Sequence, residues 1–204
     1  AESQAGEAEN WTYGVEQVPV KQDAGSDKTV KASQFKKPYY EFPPACAGCG
    51  ETAYIKLVTQ LFGDHMYIAN ASGCTAAHGG SLPSTPYCKD DRGFGPPWEQ
   101  SLFEDNAEHG LGMYVGQKFI RDDLIKKLGE VVSNEKATAE LKAAYDEFTV
   151  TKEDTRKNGA ATDKLVAELE KAAAAGCELS KEILDNKQYL CKKSVWIFGG
   201  DGWA

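Results

Sequence analysis

The sequence predicts an α/β protein built on an open, mostly parallel sheet flanked by helices, with a helical insertion. Three observations lead there. Two short apolar runs, Met66-Tyr-Ile-Ala69 and Val195-Trp-Ile-Phe198, have the length and the β-branched or aromatic content of buried strands. Apolar residues elsewhere recur at helical spacing over much of the chain. The second strand run leads straight into Gly199-Gly-Asp-Gly202, and in open α/β sheets ligands bind beyond the carboxyl ends of the strands.

Taken in order, residues 1–42 mix Gly, Ser, Lys and Glu and carry few apolar side chains before Phe35 and Tyr39-Tyr40-Glu41-Phe42. They read as a linker or arm that docks only near its end. Pro43-Pro44 then opens the domain proper, 43–204. Ala53, Leu57, Val58 and Leu61 share one face of a helix over 50–62, which Gly63-Asp64 ends. That helix is expected to pack on the strand at 66–70. The stretch 71–108 is rich in Gly and Pro, and Trp98, Leu102 and Phe103 interrupt it. A loop of that length reads as an ordered wall around a site. Leu111, Val115 and Phe119, together with Ile120, Leu124 and Leu128, predict a helix over 109–128. Residues 135–190 read as three helices broken near Asn158-Gly159 and Ala175-Gly176. Leu165, Leu169, Leu179 and Ile183 point inward there, and the charges form a solvated face on a peripheral layer.

Composition removes several function classes. The hydrophobic share of 41% and charged share of 26% are those of a globular domain. Thirty-one acidic against 23 basic side chains give a net charge of −8, a balance that repels phosphodiester backbones and argues against a nucleic-acid partner. No run is long and apolar enough for a membrane span. The first ten residues lack the basic head and apolar stretch of a signal peptide. The absence of an initiating Met, and a last residue directly after Trp203, make both ends look cut.

Six cysteines stand at 46, 49, 74, 88, 177 and 191. In Cys46-Ala-Gly-Cys49 the spacing lets two thiolates reach one inorganic centre, and the glycine lets the loop wrap it. Cys74 follows the first strand within Asn70-Ala-Ser-Gly-Cys74. A fourth ligand is needed for tetrahedral zinc or for a cysteine-ligated iron–sulfur cluster, with Cys88 and His78 the nearby candidates. Zinc on Cys46, Cys49, Cys74 and Cys88 therefore stays open beside iron–sulfur. Cys177 and Cys191 read as small apolar residues. The Gly-Gly-Asp-Gly loop can bring backbone N–H groups to a diphosphate, with Asp201 as a hard ligand for Mg²⁺. A plain tight turn explains that tetrapeptide equally well.

Four separated motifs add a resemblance. Ala45-Cys-Ala-Gly-Cys-Gly-Glu-Thr52, Asn70-Ala-Ser-Gly-Cys74, Ser101-Leu-Phe-Glu-Asp-Asn-Ala-Glu108 and Trp196-Ile-Phe-Gly-Gly-Asp-Gly-Trp203 together resemble pyruvate:ferredoxin (flavodoxin) oxidoreductases, over about residues 28–204. Lys31-Ala-Ser-Gln-Phe35 resembles the lead-in from that family's ferredoxin-like domain. The resemblance implies the first part of a thiamine-diphosphate-binding domain, in an enzyme that oxidatively decarboxylates pyruvate to acetyl-CoA and CO₂. It implies coenzyme A as co-substrate and electrons passed through a [4Fe–4S] cluster to ferredoxin or flavodoxin. Cys46, Cys49 and Cys74 would bind the cluster, and Glu51 and Cys74 would border the thiamine diphosphate. Gly200, Asp201, Gly202 and Trp203 would hold the diphosphate, with Asp201 on Mg²⁺. Cys88 would lie apart. The family's fourth cluster cysteine, its remaining Mg²⁺ ligand and its pyruvate-binding residues fall outside these 204 residues. The chain by itself is therefore expected to be inactive, and the complete enzyme to be a homodimer in the cytoplasm or a hydrogenosome-like organelle. His65, His78 and His109 take no role in this scheme. A zinc-binding interaction module and a non-oxidative thiamine-dependent decarboxylase are the alternatives.

Overall fold

A computed structural model describes residues 2–21, 24–26, 28–81, 84–103 and 105–199. In chain order it contains α1 (Ala5–Thr12), α2 (Val30–Ser33), α3 (Gly50–Phe62), β1 (Met66–Asn70), α4 (Cys74–Gly79) and β2 (Trp98–Gln100). These are followed by α5 (Asn106–Ser133), α6 (Ala139–Thr151), α7 (Asn158–Ala174), α8 (Glu178–Asp185) and β3 (Ser194–Phe198). Among the described residues no helix is long and apolar enough to cross a membrane.

The sheet has the order β2-β1-β3, and both pairings are parallel. Ile68 lies opposite Trp98 on one side and Trp196 on the other. Met66, Ile68 and Ala69 are fully buried, as a central strand covered on both faces demands. Side chains alternate along a strand, so the neighbours Ala69 and Ile197 share one face and Trp196 the other. α5 crosses the first face at Gly110, where a Cβ would come within 2.7 Å of Ile197 and 3.4 Å of Ala69. On the opposite face Phe62, at the end of α3, lies 5.2 Å from the ring of Trp196. Helices therefore flank both faces of an open parallel sheet, as the strand–helix pattern predicts.

Three readings of the sequence need correction. The buried face of α3 carries Ile55, Thr59 and Gln60, whereas Ala53 and Leu61 are exposed. Gln60 is held inside because its side-chain amide donates to the Lys36 carbonyl at 3.0 Å, so a polar residue occupies a core position that apolar counting skips. The short β2 lies within the stretch read as loop. The first break among the later helices falls over 152–157, and Gly159 stands inside α7.

The three later helices form a unit with its own core. Leu124, Leu128 and Val131 of α5 pack with Leu141, Ala144 and Phe148 of α6, Leu165 and Leu169 of α7, Ile183 of α8, and Leu190. Leu179 packs against this cluster from a partly buried position. Thr138 caps α6 by accepting the Leu141 N–H at 3.2 Å. Arg121 is buried and closes the unit, donating to the carbonyls of Leu190 at 2.9 Å and Lys152 at 2.6 Å. The first half of α5 differs. Leu111, Val115 and Phe119 define the helix by their spacing but are 60%, 54% and 76% exposed.

Candidate functional site

The carboxyl ends of the strands gather the polar interior of the chain. Asn70, the last residue of β1, is fully buried. Its amide donates to the Ala71 carbonyl at 2.7 Å and to the Thr75 hydroxyl at 2.9 Å, and its oxygen accepts from the Trp98 indole at 3.2 Å. One side chain thus ties β1, α4 and β2 together. At β3, the Asn106 amide donates to the Phe198 carbonyl at 3.2 Å, while its buried Oδ1 has no partner among the described residues.

Both cysteine loops depend on glycine. The Cys49 N–H donates to the Cys46 carbonyl at 3.0 Å, and Gly48 sits in the third position of that turn at φ 77°, where a type II turn requires positive φ. Gly73, immediately before Cys74, has φ 125° and ψ −158°, a region essentially closed to other residues. Cys49 then stands at the N-terminal cap of α3, and Cys74 is the first residue of α4. Because α3 runs back to β1 through one short turn, its N-terminus lies at the carboxyl end of the sheet, beside α4.

The contact between these helices is made by Glu51 and His78. His78 is buried, and its Nε2 lies 3.4 Å from Oε2 of the half-exposed Glu51. Its Nδ1 shares a short hydrogen bond with the hydroxyl of Tyr40, which is buried against Tyr87 with ring centroids 4.9 Å apart. The chain at 39–41 is fixed by pairing with 86–88, through Glu41 N–H to the Pro86 carbonyl at 2.8 Å and Cys88 N–H to the Tyr39 carbonyl at 3.2 Å. Burial, and then the electrostatics of the neighbouring Cys49 and Glu51, push the Tyr40 hydroxyl above its ordinary pKa, so it stays a neutral partner for the imidazole. Nε2 of His78, the Glu51 carboxylate and the Cys49 thiol all lie within 4.8 Å of one another.

Cys46 and Cys74 are exposed. Among the described residues no set of three that includes either of them is as tight as the Cys49 trio. Cys88 faces elsewhere. Its thiol lies 3.4 Å from the Pro38 carbonyl and 3.6 Å from the Glu41 carboxylate. Burial and the Glu41 charge push its pKa up to about 12, which makes it a poor metal ligand. The expected diphosphate residues Gly200, Asp201, Gly202 and Trp203 lie outside the described residues. Sequence reasoning named His78 only as a possible fourth metal ligand and gave Tyr40 no role. The one signal available was the i, i+4 spacing of Cys74 and His78, which puts both on one face of a helix.

An open parallel sheet with thiols, a carboxylate and a buried imidazole at its carboxyl end has the layout of α/β domains that take ligands at that edge. No protein-family model matches the chain. Its curated relatives are specific. It is 45% identical to a pyruvate-flavodoxin oxidoreductase of Klebsiella pneumoniae, over all of this chain and 17% of that protein. It is 44% identical to the pyruvate:ferredoxin oxidoreductase of Moorella thermoacetica, over 97% of this chain and 17% of that protein. A pyruvate dehydrogenase [NADP(+)] of Cryptosporidium parvum is 40% identical over 98% of the chain and 12% of its own length. The 204 residues are thus homologous to one segment of the pyruvate-flavodoxin/ferredoxin oxidoreductases, and they span about a sixth of the relatives they match.

Proposed function

We propose that the chain supplies the cluster-bearing part of the thiamine-diphosphate domain of a pyruvate-oxidising enzyme that makes acetyl-CoA and CO₂ and hands electrons to ferredoxin or flavodoxin. The observation that carries the reading is the meeting of α3 and α4 at the carboxyl end of the sheet, with Glu51 and His78 3.4 Å apart. That meeting sets the Cys46–Cys49 turn beside the helix that starts at Cys74. A [4Fe–4S] cluster on Cys46, Cys49 and Cys74 would accept electrons one at a time, next to the place where a thiamine cofactor would stabilise the carbanion left by decarboxylation.

The chain's own residues have defined tasks in this reading. Gly48 and Gly73 shape the two loops so that the thiols face the crevice. Glu51, steadied by His78 and Tyr40, borders the cofactor. Asn106 holds the peptide at Phe198, from which the expected diphosphate loop, Gly200 to Trp203 with Asp201 for Mg²⁺, departs. Coenzyme A and a second copy in a homodimer belong to the complete enzyme.

Anaerobic reconstitution of the chain with iron and sulfide tests the reading. Visible absorbance and an electron paramagnetic signal after reduction are expected, both lost in Cys46→Ser, Cys49→Ser and Cys74→Ser and kept in Cys88→Ser. Cluster formation that survives all three single substitutions, or that depends on Cys88, would overturn it. Pyruvate-dependent reduction of a viologen dye should be absent from the 204 residues alone, because general-base help from outside them is worth about 10²–10⁴-fold.

A further inference from the structure

A cavity of about 630 Å³ lies at the opposite end of the strands from the cysteines. Asp64 and His65 precede β1, Phe94 precedes β2 and Cys191 precedes β3, and in a parallel sheet these amino ends lie together. The start of α7 closes the other side with Arg156, Gly159, Ala160 and Asp163. We propose that this cavity binds the phosphate monoester of a small hydroxylated metabolite, with the phosphate seated on Arg156 and the first turn of α7. The site goes beyond the pyruvate-oxidising reading and shares no residue with the proposed cluster or diphosphate loop.

Unpaired donors are the first argument. The N–H groups at the start of a helix have no intrahelical partner. In α7 those of Lys157 and Asn158 donate to the Asp154 carbonyl at 3.2 and 2.9 Å. No side chain caps the helix, and among the described residues the Gly159 and Ala160 N–H groups have no partner. Both residues line the cavity, and a Cβ added at Gly159 would meet no atom within 4 Å. The Arg156 side chain beside them forms no hydrogen bond or ion pair among the described residues. Free N–H groups, the positive end of a helix and a guanidinium are together suited to a phosphate.

Charge is the second argument. The chain carries −8, so an unpaired cation in a cavity is a local departure that draws anions. Arg92 also lines the cavity but is engaged by Asp90 at 2.8 Å and Asp64 at 3.4 Å. Arg156 remains, with Lys187 as a second lining cation. The remaining polar groups identify what carries the phosphate. His65 binds Asp64 through Nδ1, while its buried Nε2 has no partner among the described residues. Asp163 stands one helical turn beyond Gly159, and its carboxylate accepts hydroxyls and repels a second anion. A hydroxyl both donates and accepts, so it can pair with either group. The volume also falls within the range of about 300–1,000 Å³ typical of small-molecule sites, larger than a bare ion requires.

Isothermal titration calorimetry of the chain with ribose 5-phosphate, in buffer free of phosphate and Mg²⁺, tests the site. The expected result is one molecule bound per chain, with inorganic phosphate weaker and ribose alone not bound. Arg156→Ala should weaken binding about 10- to 100-fold, as loss of a charge-assisted hydrogen bond does. Asp163→Asn should weaken ribose 5-phosphate but not inorganic phosphate. Lys171→Ala, at the far end of α7, should change neither. Arg156 is exposed, so its truncation leaves the fold intact, and circular dichroism checks each variant. Absence of binding by the folded chain would overturn the inference, as would binding indifferent to Arg156→Ala. Inorganic phosphate bound as tightly as the ester would mean an adventitious ion only, and would overturn it too. Binding kept in Arg156→Ala but lost in Asp201→Asn would place the anion at the proposed diphosphate loop instead. The cluster reading is tested only by the iron and sulfide experiment, so the two failures stay separate.

Discussion

The helical unit and the carboxyl end of the sheet solve opposite problems. In the helical unit the core from Leu124 to Leu190 is apolar, with the buried polar residues Asn158, Thr162 and Ser180 beside it, and Arg121 satisfies the Leu190 and Lys152 carbonyls. At the carboxyl end of the sheet the buried positions are Tyr40, Asn70, Thr75, His78 and Asn106. A buried polar group costs free energy unless it is paired, and here nearly every one is paired to another element. The difference teaches where each property resides. Stability is concentrated in the helices, and the strand ends spend some of it to hold polar groups where a ligand would meet them.

The largest test of this contrast is Phe148→Ala. Phe148 is fully buried at the centre of the helical core, and its truncation should lower unfolding stability by about 3–5 kcal/mol. Denaturant unfolding followed by far-UV circular dichroism measures the loss. Cluster formation by the folded variant on anaerobic reconstitution should be unchanged, and a parallel loss of both would join the two regions into one.

A smaller effect is expected at the Asp90 cluster on the sheet side. Asp90 accepts from Arg92 at 2.8 Å, from the Phe94 N–H at 2.9 Å and from the Tyr39 hydroxyl at 3.1 Å. Burial alone would raise its pKa, but the Arg92 and Phe94 hydrogen bonds outweigh burial and hold the carboxyl below its ordinary range. A depressed carboxyl stabilises the fold above the ordinary carboxylate pKa and loses that contribution as pH falls through its own, lower value. Arg92 is largely exposed, so the contribution is at most about 1 kcal/mol. Urea midpoints measured from neutral pH downward should converge for wild type and Asp90→Asn at acid pH, and a constant difference would refute the assignment.

How much of this was legible in the sequence follows from the physics of each element. β1 and β3 were readable because both are continuous apolar runs, although only β1 is the buried central strand and Ile197 of β3 is exposed. β2 was not, because Trp98-Glu-Gln100 is three residues long and follows two prolines. The α3 face was misread because Gln60 is buried through a tertiary hydrogen bond to the Lys36 carbonyl, and Thr59 by satisfying its hydroxyl on the Lys56 carbonyl of its own helix, neither of which periodicity reveals. The exposed Leu111–Val115–Phe119 stripe shows the reverse limit, since spacing predicts a helix but not what covers it. The proposed cluster cysteines Cys46, Cys49 and Cys74 stand out in the sequence by spacing and neighbouring glycines. The Tyr40–His78–Glu51 chain does not, because its links span 38 and 27 residues and exist only once 39–41 pairs with 86–88.

Hydrogen exchange followed by mass spectrometry, on the chain before and after anaerobic reconstitution with iron and sulfide, tests the division of labour most directly. Amides in α6 and α7 should exchange slowest in both states, since opening them exposes the helical core. Segments 46–52 and 73–79 should exchange quickly before reconstitution and slow markedly after it, with the helical unit unchanged. Exchange from α6 and α7 as fast as that from 46–52, or a slowing spread evenly over both regions, would contradict the account.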